Sequence, residues 1–174
     1  MKTILDSSQL SLTIKRLAHQ IVENHFPFKD TCFIGMQPRG IYVSDRIVEY
    51  IRQIYPGYEL EYGRLDITFY RDDVRNELHV ANETDILFSI ENKKVVLIDD
   101  VLYTGRTIRA ALDALLDFGR PASVELCILI DRRFSRQFPI QPDYVGKAID
   151  SLITQKVKVA WEPKEGKNEV YFVE

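Results

Sequence analysis

Cysteine is scarce: the only two, Cys32 and Cys127, sit inside apolar stretches without CxxC spacing or neighbouring histidines. That argues against a disulfide framework or a cysteine metal site and for buried free thiols in a reducing compartment. Long hydrophobic runs are missing too. The start, MKTILDSSQLSLTIKRL, has an early lysine but no uninterrupted apolar core, and no segment approaches bilayer-spanning length, so a cytoplasmic protein with no membrane partner is expected. Basic runs are absent, and with a net charge of -3 the bulk charge gives no support for nucleic-acid or anionic-membrane binding. Any basic patch must be local. Neither GxxxxGK[ST] nor GxGxxG occurs, and no internal repeat or low-complexity linker breaks the chain.

What is present suits one compact domain spanning 1–174, with 45% hydrophobic and 28% charged residues. Ser7 and Ser8 can cap a helix whose apolar positions are Leu10, Ile14, Leu17, Ala18 and Ile21. TCFIGM reads as a short buried strand, and after QPRG a second helix carries Val43, Ile47, Tyr50, Ile51 and Ile54 until Pro56 and Gly57 stop it. Residues 58–70 favour a strand, whereas 70–86 are mostly polar and aperiodic, the pattern of a lid loop. KVVLIDD is a continuous apolar run ending in acids, as in a central parallel strand buried on both faces. The next helix places Ile108, Ala111, Leu112, Leu115 and Leu116 on one stripe and ends at Gly119 and Pro121. VELCILIDR repeats the strand pattern, and the remainder reads as short strands of a small antiparallel addition, a hood mainly within 131–174. Alternating strands and helices imply a doubly wound α/β sheet, whose ligands bind beyond the carboxyl ends of the strands. Three such ends carry polar clusters, at 37–40, 99–107 and 131–133.

The densest of these is IDDVLYTGRT. Amides at Thr104, Gly105, Arg106 and Thr107 fall in a turn opening a helix, where unpaired N–H groups and the positive dipole end favour a phosphate. Asp99 and Asp100 would repel that phosphate if they pointed at it, so they suit neutral hydroxyls or a developing cation beside it. A sugar phosphate meets both demands.

VVLIDDVLYTGRT resembles the 5-phosphoribosyl-1-pyrophosphate (PRPP) signature of type I phosphoribosyltransferases. ILD, LDITFYRDD, ALDALLDFGRPASVEL and PIQPDYVGK extend the resemblance along nearly the whole chain to the PyrR family, uracil phosphoribosyltransferases that also attenuate pyrimidine operons. The resemblance implies the type I fold, a Rossmann-like parallel sheet flanked by helices, with Mg2+ carried by PRPP rather than by direct protein ligands. It implies that uracil and PRPP become UMP and pyrophosphate in pyrimidine salvage. Asp99 and Asp100 would hold the ribose hydroxyls and stabilise an oxocarbenium-like centre. Thr104, Gly105, Arg106 and Thr107 would hold the 5′-phosphate, beside Tyr103. Arg39 and Gly40 of MQPRG would face pyrophosphate, and Arg71, with Tyr70 and Asp72 as weaker candidates, would meet it from the lid.

The family pattern has threonine at Pro38, so this chain gives up one backbone donor there. A cis bond before proline costs only about 0.5 to 1 kcal/mol, against ~3 to 4 kcal/mol elsewhere, and two expectations stand side by side: a Gln37–Pro38 peptide that is cis, or readily becomes cis, when pyrophosphate or PRPP is bound, and an ordinary trans proline that stiffens the turn.

Purine enzymes sharing the motif have an acid at the position of Tyr103, a phenol that keeps its proton near neutral pH, which favours a pyrimidine acceptor. Tyr144 would stack on the base, Val145 would offer its backbone, and Asp131 would meet polar atoms on the base edge. The family also implies a homodimer or higher assembly and binding of pyrimidine leader mRNA, with Lys15, Arg16, His19, Arg136 and Lys147 as the candidate cations; Arg132 and Arg133 are further cations nearby. RFSR is one residue longer than the family's segment and Gln141 replaces a basic residue, which weakens that expectation. The alternatives are a purine phosphoribosyltransferase and a nucleotide-sensing RNA-binding regulator with little turnover.

Overall fold

The computed structural model describes residues 1–68 and 84–173. In chain order the elements are β1 (Lys2–Leu5), α1 (Ser7–His25), β2 (Thr31–Met36), α2 (Gly40–Ile54), β3 (Glu61–Leu65), β4 (Lys94–Leu102), α3 (Arg106–Leu115), β5 (Ser123–Arg133), β6 (Tyr144–Asp150), β7 (Lys156–Ala160), α4 (Glu162–Glu165) and β8 (Glu169–Val173). The lid residues Tyr70, Arg71 and Asp72 lie outside the described residues.

Five strands form one sheet in the order β3-β2-β4-β5-β6, every neighbouring pair parallel. Along β4 successive side chains alternate between faces. Val96 and Ile98 pack with α1 and α2 through Leu17, Val43 and Ile47, while Val95 and Leu97 pack with Ile108, Ala111 and Leu115 of α3. Burial on both faces explains why β2 and β4 read as unbroken apolar runs. After β2 the chain steps outward to β3, then returns to β4 on the other side of β2. The order therefore reverses between β2 and β4, which opens a crevice at their carboxyl ends.

Several local expectations change. The N-cap of α1 is Asp6, not Ser7 or Ser8: its carboxylate accepts the Gln9 N–H at 2.8 Å, and the Gln9 side chain accepts the Asp6 N–H at 3.1 Å. In α3 the buried arc runs through Ile108, Ala110, Ala111, Ala114 and Leu115, leaving Leu112 and Leu116 exposed. Ile54 likewise lies at the exposed edge of the α2 stripe. Among the described residues of that stretch, 58–68, only Glu61–Leu65 pairs as a strand. The terminal addition is divided: β6 joins the main sheet parallel to β5, and only β7 and β8, with β1, form an antiparallel sheet in the order β1-β8-β7. Among the described residues no helix is long and apolar enough to cross a membrane.

Candidate active site

The crevice between β2 and β4 is closed from below by contact of α2 with the end of β4. A Cβ on Gly40 would lie 2.7 Å from Asp99 Oδ1 and 2.9 Å from the Ile98 carbonyl, so only glycine lets the first turn of α2 come this close. The Gln37–Pro38 peptide leading into α2 is cis. Asp99 and Asp100 lie toward the carboxyl end of β4, each turning one oxygen back onto the strand: Asp99 Oδ1 accepts the Asp100 N–H at 2.9 Å, and Asp100 Oδ1 accepts the Val101 N–H at 2.8 Å. Burial pushes the Asp100 carboxyl above the usual carboxylate range, and the nearby Arg39 guanidinium works against that rise.

Arg39 spans the crevice. Its Nε lies 3.8 Å from Asp100 Oδ2, while its Nη2 donates to the Val159 carbonyl and to Glu165 Oε1, the latter at 3.2 Å. Glu165 is fixed in turn by the Trp161 N–H at 2.8 Å. The small antiparallel sheet and α4 thus hold the arginine of the β2 loop over the acids of β4.

Beyond the acids the chain turns through Tyr103, Thr104 and Gly105, and Gly105 takes φ +91°, the left-handed region that favours glycine, before α3 begins. The first turn of α3 has no intrahelical acceptors for its N–H groups, and the Arg106 N–H turns to Thr104 Oγ1 at 3.3 Å. A cavity of about 250 Å³ is lined by Tyr103, Thr104, Gly105, Arg106 and Thr107. Its N–H donors at the start of a helix suit a phosphate group. On the β5 side, Arg132 stacks on Tyr103 with its guanidinium carbon 3.9 Å from the ring centroid and donates to Ser151, Leu152 and Gln155. A larger cavity, about 610 Å³, lies between α1 and α2 beside Trp161 and contains none of the strand-end acids.

Residues 1–164 match the family model described as a phosphoribosyl transferase domain. The chain is 40% identical over 173 residues to the bifunctional protein PyrR of Enterococcus faecalis, an alignment covering 97% of this chain and 94% of the relative. It is 44% identical over 171 residues to the bifunctional protein PyrR of Caldicellulosiruptor bescii, covering 97% and 93%. The chain belongs to the PyrR family of phosphoribosyltransferases. Among solved structures, a hypoxanthine phosphoribosyltransferase from Staphylococcus aureus superposes with a TM-score of 0.74 at 21% identity, covering 98% of this chain and 90% of that one. At that identity the likeness concerns the type I fold alone.

In this PyrR-family chain the structure brings together Arg39, Gly40, Asp99, Asp100 and the 103–107 turn at adjoining strand ends, with Asp131 opposite Leu102 on β5. It does not bring Tyr144 or Val145 there. Both stand at the start of β6, where Tyr144 pairs in register with Cys127, and the Tyr144 hydroxyl meets Glu125 at 2.5 Å and Asn24 at 2.9 Å. A ring held there cannot stack on a base at the other end of the sheet. Asp131 remains at the correct end, but one of its oxygens is engaged by Arg136 at 2.5 Å.

The candidate RNA cations divide as well. Lys15 and His19 sit beside Tyr50 of α2, at 5.7 Å from the ring centroid and 3.2 Å from the hydroxyl respectively. Arg16 bonds the Val145 and Gly146 carbonyls, and Lys147 approaches the Ile4 carbonyl at 3.3 Å. Arg136 is turned inward. Sequence reading missed Glu165, Val159 and the Arg132–Tyr103 stack; nothing in local spacing signals partners so distant in the chain.

Proposed function

We propose that this protein transfers the phosphoribosyl group of PRPP to uracil, giving UMP and pyrophosphate. The observation that carries the reading is the pair Asp99 and Asp100, set at the point where strand order reverses and followed directly by the turn that opens α3. The turn holds the 5′-phosphate. The acids accept the ribose 2′ and 3′ hydroxyls and supply negative charge beside the anomeric carbon. As the bond from that carbon to pyrophosphate breaks, its electron pair leaves with the pyrophosphate, and cationic character on the ring is greatest next to the two carboxylates. The ring nitrogen of uracil then forms the new bond, and its proton passes to an oxygen of the departing pyrophosphate. Arg39 faces the departing pyrophosphate, and Arg71 of the lid is assigned to the same group.

Mg2+ fits this donor set. Mg2+ is commonly bound through a substrate's own phosphates with only one or two carboxylates, so PRPP would carry it to a site whose carboxylates are Asp99 and Asp100. When bound it neutralises charge on the leaving pyrophosphate.

Tyr103 supports a pyrimidine acceptor over a purine, because its ring is covered by the Arg132 guanidinium and it stands where the purine enzymes have an acid to exchange a proton with the purine ring. An assay of PRPP and Mg2+ with uracil, hypoxanthine and guanine in parallel tests the reading. UMP formation should dominate, and faster turnover of either purine overturns it.

The relatives named above are bifunctional, and we assign the second activity to binding of pyrimidine leader RNA by exposed cations of α1 and β6, namely Lys15, Arg16, His19 and Lys147. A dimer or higher assembly, which would repeat these cations, belongs to this reading. Such binding should weaken steeply with salt, because phosphate neutralisation dominates it. Filter binding at two salt concentrations checks this, and Lys15→Ala with Arg16→Ala should lose RNA while still forming UMP.

A further inference from the structure

We infer that Arg136 is a positioning residue for the 5′-phosphate cradle, holding the 103–105 turn so that its amides face the ligand. The inference rests on the phosphoribosyl reading of that turn.

The guanidinium of Arg136 makes four bonds into the protein. Nε donates to the Ile140 carbonyl at 2.8 Å, Nη1 to the carbonyls of Tyr103 at 2.7 Å and Arg132 at 3.3 Å, and Nη2 to Asp131 Oδ1 at 2.5 Å. The residues that follow continue the grip. The N–H groups of Gln137 and Phe138 both donate to the Thr104 carbonyl, at 2.8 Å and 3.2 Å, and Arg106 Nε donates to Gln137 Oε1 at 2.6 Å. A Cβ on Gly105 would meet Ile140 and Phe138 at 3.3 to 3.5 Å, so the segment after β5 is the outer wall of the turn.

Two successive carbonyls of the turn, those of Tyr103 and Thr104, are therefore drawn to this wall. In a planar trans peptide the N–H points opposite to the C=O. Holding those two oxygens outward directs the N–H groups of Thr104 and Gly105 inward, and successive inward amides form an anion-binding concavity. The planar, rigidly forked guanidinium suits this task, because one group must reach three carbonyls and a carboxylate in fixed directions.

Arg136→Lys keeps the charge and loses the fork. Binding of ribose 5-phosphate, measured by calorimetry, should weaken about tenfold, the size expected for losing one charge-assisted hydrogen bond. Binding of Mg2+-pyrophosphate, which does not use the turn, should hold, and in turnover the KM for PRPP should rise while the KM for uracil stays. Asp131→Asn, which loosens the far side of the guanidinium, should give a smaller loss of ribose 5-phosphate affinity while Mg2+-pyrophosphate binding holds, and these two affinities decide the matter if Arg136→Lys does not fold. Unchanged ribose 5-phosphate affinity overturns the inference, and so does an equal loss for ribose 5-phosphate and pyrophosphate. If the wild-type protein makes no UMP yet binds ribose 5-phosphate in an Arg136-dependent way, the uracil reading fails and the role of Arg136 stands.

Discussion

Asp100 carries a conflict that a single side chain can make visible. Burial raises its carboxyl above the usual range, so the fold favours the neutral form, whereas stabilising a cationic centre requires the charged one. A carboxyl raised in the folded state contributes stability below its unfolded pKa and loses that contribution as pH climbs through the folded value. Asp100→Asn, neutral at every pH, should accordingly be at least as stable as the wild type near neutrality by chemical denaturation, while turnover falls on the order of a hundredfold or more. A wild-type rate in that variant would place the chemistry elsewhere. Arg39 sits on the other side of the same balance, because its guanidinium favours the charged carboxylate. Arg39→Gln should raise the Asp100 pKa further, and the acid limb of the pH profile of kcat/KM should move to higher pH. A weakened PRPP affinity with an unmoved limb would mean that Arg39 binds pyrophosphate without tuning the acid.

At the scale of elements, the clearest constraint is the docking of α2 on β4. TCFIGM and KVVLIDD were legible as strands because both faces of each are covered, and IDDVLYTGRT was legible as a strand end with two acids leading into a helix-opening turn because those residues are contiguous in the chain. What failed depended on neighbours. Leu112 and Leu116 satisfied a helical period, yet the face that α3 buries is centred nearer Ala111 and Ala114, and period alone does not say which arc meets the sheet. The parallel direction of β6 was illegible for a similar reason, since a short run such as YVGKAID has no mark of the sheet it joins. Gly40 belongs to this scale. Gly40→Ala puts a methyl within 3.0 Å of Asp99 and the Ile98 carbonyl, so the start of α2 must retreat from the acids. Overpacking of this kind costs about 1 to 3 kcal/mol. The expected outcome is a modestly lowered Tm and a disproportionate loss of turnover, read by thermal melting beside the UMP assay. Equal retention of both would show that the contact is slack.

Across the whole molecule the two ends of the parallel sheet carry separate tasks, and this separation explains the misplacement of Tyr144. PDYVGK was assigned to the base pocket by resemblance, but Tyr144 opens β6 and Asp150 closes it, and at ~3.3 Å per residue the two stand about 20 Å apart. The amino-terminal end of the sheet holds a polar network instead: His25 Nε2 meets Glu125 at 2.9 Å and His25 Nδ1 meets Thr31 at 3.1 Å, with Tyr144 and Asn24 completing it. Burial alone would raise the Glu125 carboxyl, but the hydrogen bonds from His25 and Tyr144, with the charge of His25, outweigh burial and hold it below the usual range. A depressed carboxylate contributes stability above its unfolded pKa and loses it as pH falls through the folded value. Glu125→Gln should therefore lower the Tm near neutrality, and the gap from wild type should close as the pH drops into the range where Glu125 takes up its proton. UMP formation should be unchanged at a temperature where both proteins are folded, because the network lies at the end of the sheet away from the acids. Melting curves across the acid range, set beside initial rates at neutral pH, separate the two effects. A loss of rate without a loss of stability would mean that the two ends of the sheet are coupled.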